Sequence, residues 1–229
     1  MFKIALSSLF LLSTTLSSAY ADAKNSVVVS MPKAPKEAQI AAKTMFEESH
    51  DKIFKAPNDQ AAVNVMISEL NHLLDVEDIS ILIMGGKGIV EKINAAKLGT
   101  EFHKVIIDTV AALYASQIRS NPNAKVKIQK QTTENDRILG KTLQVVELTI
   151  YPEYPSEAKK VPVKLYYNEK SKLVDISVDN SFRMALTLKT QWKGEWDKSG
   201  EDANAFLEGL KNSRQEAQNK RAAKKSKAN

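Results

Sequence analysis

The chain has no cysteine. Disulfide staples and thiolate metal sites are therefore excluded, and stability has to come from apolar burial. Beyond its first segment it also lacks any stretch near the roughly 18 apolar residues of a membrane span, and "ISILIM", residues 79–84, is far too short. Histidine occurs only at His50, His72 and His103. Each falls on a predicted helix and none makes a His-Glu-x-x-His or comparable pair, so exposed helix histidine is expected and no metal site. No Gly-x-Ser-x-Gly elbow is present, and with no cysteine nucleophile a catalytic triad has no local signature. The glycine cluster Gly85-Gly86-Lys87-Gly88 lacks the order of a Walker loop and follows a helix, not a strand. It reads as a helix terminator, and no cofactor is expected.

Net charge is +6, but it is unevenly placed. From Lys211 onward seven basic residues face one acid, Glu216, whereas residues 22–210 hold 25 bases against 26 acids. Basicity belongs to the tail, 211–229, and is no footprint for nucleic acid on the body of the protein. A solvated helix end fits it. So does a tether for anionic headgroups or an acidic partner, at about 1 kcal/mol per basic residue near such a surface. At the other end Lys3, the apolar Ile4 to Leu16 and the small-residue Ala19-Tyr20-Ala21 follow the order of a secretory signal peptide, 1–21, with cleavage expected after Ala21. No lipid-accepting cysteine follows. A soluble, monomeric protein with a single domain over 22–210 is expected, in a Gram-negative periplasm.

The helical period runs from Glu37 to Lys55, then through Val63, Met66, Ile67, Leu70, Leu73 and Leu74. Asp75 is placed to cap a short helix ending at Met84, and Asn94 to cap the longest one, which "SNPN", 120–123, stops. Period two then takes over at 125–131, 141–151, 161–168 and 172–178, with turns between, which predicts an antiparallel meander. Helices return from Phe182 to about Trp196 and from Glu201 into the tail. This order gives an α+β fold: a bent antiparallel sheet of about four strands with helices covering one face.

Carboxylates carry little chemistry in this pattern. Asp75, Glu77 and Asp78 suit the dipole at a helix start, and Asp175 with Asp179 reads as a solvated strand face. An enzyme would need a polar residue deep inside, and the strand acids Glu147 and Asp175 both read as facing out. Val146, Leu148 and Ile150 share one face of their strand, and Val161, Val163, Leu165 and Tyr167 share one face of the next. Such a face under amphipathic helices encloses either a solid core or a cavity, and periodicity does not separate the two.

The stretch "LDVEDISILIMGG", the helix "EFHKVIIDTVAALYASQI" with Phe102 and Tyr114, and "LVDISVDNSFRMALTLKTQW" with Asp175, Lys189 and Trp192 occur in that order. In order and spacing, from about Glu37 to Leu210, the chain resembles the periplasmic phospholipid-binding MlaC proteins, the toluene-tolerance auxiliary family. It departs from them at Asn180-Ser181-Phe182-Arg183, where the family has a Gly-Val-Ser turn, and at the tryptophan often found before the strand aspartate. The resemblance implies a nuclear-transport-factor-two-like cone with an apolar cavity. It also implies a soluble carrier, not an enzyme, shuttling phospholipid between an outer-membrane lipoprotein complex and an inner-membrane lipid-transport complex that maintain lipid asymmetry. The residues expected to line the cavity are Ile79, Ile83, Phe102, Ile106, Val146, Leu148, Leu165 and Ile176, with Met184 and Leu188 near its mouth. The alternative is a periplasmic interaction module or chaperone with a solid core.

Overall fold

A computed structural model describes residue 42 and residues 47–119, 121, 123–152, 160–179 and 183–226. The expected signal peptide, the linker with Pro32 and Pro35, most of the first half of the first predicted helix and the turn residues 180–182 lie outside the described residues. Among the described residues seven helices and four strands follow in order: α1 at 47–54, α2 Asp59–Leu73, α3 Val76–Met84, α4 Lys87–Ala95, α5 Gly99–Arg119, β1 Lys125–Asp136, β2 Lys141–Tyr151, β3 Val161–Tyr167, β4 Leu173–Val178, α6 Met184–Lys198 and α7 Ala203–Ser226. The fold is α+β, and the sheet is an antiparallel meander in the order β1-β2-β3-β4.

Local chemistry sets the breaks. Asn58 caps α2 by accepting from the Ala61 N–H at 2.8 Å, and Asp75, as the sequence predicts, caps α3 by accepting from the Asp78 N–H at 3.2 Å. Gly85, at φ 76°, closes α3: the Gly86 N–H reaches back to the Ile81 carbonyl at 2.9 Å and the Gly85 N–H to Leu82 at 3.2 Å. The chain does not then turn directly into the longest helix. The intervening α4 was hidden because its nine residues carry only Val90 and Ile93 as buried positions. Asn94 accordingly lies in the last turn of α4 and does not cap α5, which begins at Gly99. A Cβ on Gly99 would collide with the Asn94 side chain, so glycine lets that side chain approach the start of α5.

Strand β1 runs past its expected end at 131 to Asp136, whose carboxylate accepts from the Ile138 and Leu139 N–H groups, both at 2.9 Å. This tight turn leaves only 137–140 between the strands. Every residue of β4 from Leu173 to Ser177 is buried. Since successive side chains point to opposite faces, this strand is covered on both, not on one. Four aromatic rings join α5, α6 and α7: Phe102 lies 5.8 Å from Trp192 and 6.0 Å from Phe206, and Trp196 stands edge-on to Phe206 at 5.3 Å.

Candidate functional site

The ten residues singled out in the sequence come from six elements and all are buried. Ile79 and Ile83 lie one turn apart on α3, Phe102 and Ile106 one turn apart on α5, and Met184 and Leu188 one turn apart on α6. On the sheet Val146 sits opposite Leu165, which sits opposite Ile176, and Leu148 pairs with Val163 in the next row of the same face. An apolar row therefore crosses three strands. Ile79, Ile83, Phe102, Ile106, Val146 and Leu165 are each 0% exposed. A chamber beside them would leave surface that water could touch. In this conformation protein atoms fill the space around these six.

A small apolar pocket of about 30 Å³ lies elsewhere, between α1, α2 and the end of α5, lined by Met66, Leu70, Leu73 and Ile118. It has room for a water or two, not for an acyl chain, and none of the ten residues lines it.

Sequence periodicity missed the polar interior. Asp175 does not face solvent; its side chain is 0% exposed. Its carboxylate accepts from Arg183 Nε at 2.6 Å and from the Ile176 and Ala185 N–H groups at 2.8 and 3.0 Å. Arg183 also donates from Nη1 to Asp136 at 2.5 Å and lies 4.4 Å over the Tyr166 ring. Burial pushes the Asp175 carboxyl above its ordinary value against the pull of Arg183 and the two N–H donors. The signal was present in "LVDISV": apolar residues at both parities mark a strand buried on both faces, and an aspartate within it must be buried too. Glu147 faces out as expected, between Lys164 at 3.3 Å and Lys130 at 3.4 Å.

A second cluster fastens the start of α3. Lys141 donates to both Asp78 oxygens at 3.0 Å, while Asn168 donates to Asp75 at 2.8 Å and to Asp78 at 3.0 Å. Asp78 thus does more than favour the helix dipole: it ties α3 to the start of β2 and to the β3–β4 turn. At the other end of α3, Lys189 lies over the glycine turn; a Cβ on Gly85 would stand 2.7 Å from Lys189 Cε. Of the histidines, His72 is exposed, but His50 and His103 are half-buried, and burial lowers the pKa of His103. Among the described residues no three His, Asp or Glu side chains gather as a metal site, and no helix is long and apolar enough to cross a membrane.

No protein-family profile matches the chain, and no characterised protein matches it by sequence. Its structure does find a relative. A phospholipid-binding protein from Ralstonia solanacearum, solved in complex with a phospholipid, superposes with a TM-score of 0.60 at 16% identity, over 76% of this chain and 95% of the other. The two share a fold. That neighbour is a phospholipid-binding protein.

Proposed function

We propose that the protein is a periplasmic phospholipid carrier that takes up acyl chains between α3, α5, α6 and the row Val146, Leu165, Ile176. The observation that carries this reading is the fold shared with a protein solved in complex with a phospholipid, over 95% of that protein's length. The signal-like first segment, 1–21, is consistent with export. A lipid with about 30 chain carbons gains on the order of 25 kcal/mol, gross, by leaving water. Such a ligand asks for shaped apolar surface and no reactive group. Asp175, the deepest of the sequence-flagged acids, is engaged with Arg183 and two backbone donors, which speaks against the enzyme reading.

The interior is filled around six of the ten residues, so loading requires α3 or α6 to move away from the sheet. Gly85 and Gly86, between α3 and α4, are the natural pivot. The carrier would receive and deliver lipid by docking on an outer-membrane lipoprotein complex and an inner-membrane transport complex, with the basic tail as one means of orienting it.

The filled interior also favours a second reading, a periplasmic interaction module or chaperone with a solid core. Native mass spectrometry of protein isolated without detergent separates the two. A carrier holds phospholipid and accepts it from donor vesicles. A folded protein that is lipid-free and stays so after incubation with vesicles is the solid-core module.

A further inference from the structure

The apolar row of the sheet ends in a polar step. One pair further along the same face from Val146 and Leu165, Gln144 stands directly opposite Tyr167. Tyr167 is 2% exposed, yet its hydroxyl meets no hydrogen-bonding partner, and the buried Gln144 Oε1 meets none either. Burial pushes the Tyr167 pKa up, so the phenol remains a protonated donor. Leaving such groups unpaired is costly, and native interiors pair nearly all of them. Neither atom is used by the Asp175 or Asp78 clusters, whose hydrogen bonds lie with other residues.

We propose that Gln144 and Tyr167 form the polar end of the acyl-chain site and recognise the ester linkage of an acyl lipid. This rests on the carrier reading above. With the chains along Val146, Leu165 and Ile176, the Tyr167 hydroxyl donates to an acyl ester carbonyl. The Gln144 amide, turned about its last bond, offers an N–H to the same ester. An ester is the group in a phospholipid that joins apolar chains to polar glycerol, and this face changes from apolar to polar at the matching place.

The test compares lipids that differ only at that linkage. The protein is incubated with vesicles holding equal amounts of dipalmitoyl phosphatidylcholine and its dihexadecyl ether analogue, and bound lipid is measured by native mass spectrometry. A site without a donor favours the ether, because the ester must shed its water to enter. A site with the Tyr167 donor favours the ester by about tenfold, the worth of one hydrogen bond. Tyr167→Phe, alone and with Gln144→Leu, is expected to lower that ratio to one or below. A wild-type ratio at or below one, or a ratio that both variants leave unchanged, overturns the inference while the carrier reading stands; a water bridging Gln144 and Tyr167 gives this result. If neither lipid binds to the wild type, the carrier reading itself falls.

Discussion

Tyr166 and Tyr167 are consecutive residues of β3, and their side chains look to opposite faces on two kinds of buried polarity. Tyr166 pairs with Asp175 in the ladder, where a buried carboxylate has its cation and two backbone donors around it. Tyr167 pairs with Gln144, where a hydroxyl and an amide oxygen have nothing. The first site commits the Asp175 carboxylate and Arg183 Nε and Nη1 within the fold, joining β4 to the end of β1 and the start of α6, and leaves over only Arg183 Nη2. The second holds its capacity in reserve. A buried carboxylate whose oxygens the fold occupies is structural, whereas a hydroxyl and an amide oxygen left open side by side are capacity that a bound ligand can take up.

Removing the cation is the strongest way to break this contrast. Arg183→Ala leaves Asp175 and Asp136 as buried carboxylates without their shared partner, and should lower stability by about 3–5 kcal/mol, read from the urea midpoint. Arg183→Lys keeps the charge without the two-pronged reach and should lose less. An Arg183→Ala protein as stable as the wild type would remove the distinction between the two sites.

Asp175→Asn sharpens it through pH. The folded-state pKa of Asp175 is raised above its ordinary value of 3.8. Its favourable contribution is therefore complete below the unfolded value and is lost as pH rises through the folded one. Asparagine does not titrate. The variant's urea midpoint should accordingly climb more steeply with pH than the wild type's from about pH 4 upward. Parallel curves would mean that Asp175 does not titrate differently in the fold.

How much of this was legible beforehand depended on periodicity. Strand alternation and the helical stripes located the meander and the helices that cover it, and the cap Asp75 and the terminator Gly85 fell where turn chemistry puts them. The ten apolar residues are all in the interior. Their burial does not distinguish a lipid wall from a core, because both require the same side chains. What escaped was polarity whose partners are distant in sequence: Arg183 reaches Asp136, 47 residues away, and Asn168 reaches Asp78, 90 away. Helix α4 escaped for a different reason, since two buried residues in nine are too few to set a period.

The basic tail supplies a weaker pair for scale. Helix α7 continues unbroken across 210–211, and Arg214 donates to Asp108 at 2.7 Å while Lys104 does so at 2.8 Å. Burial pulls the Asp108 pKa upward, but these two hydrogen bonds outweigh it and leave it below 3.8. The sign is thus opposite to that of Asp175: the stabilisation is present above the unfolded pKa and is lost as pH falls through the depressed folded one. With Arg214 31% exposed, Arg214→Ala should cost about 0.5–1 kcal/mol near neutral pH and flatten the acid limb of the stability curve. An unchanged acid limb would show that this pair contributes nothing measurable.

The smallest effect should also have the reverse sign. In lipid-free protein Tyr167→Phe removes a buried hydroxyl that makes no hydrogen bond, keeps the ring, and relieves its desolvation, so stability should be unchanged or rise by up to about 1 kcal/mol. A satisfied hydroxyl behaves otherwise: its deletion costs stability, as deleting the Asp175 partners must. Calorimetry on the lipid-free and lipid-loaded forms reads both conditions from one variant. The gain should appear only without lipid and turn into a loss with an ester lipid bound, because only then does Tyr167 have something to donate to. A loss in both forms would place a hidden partner at Tyr167 and make the two sites on β3 alike.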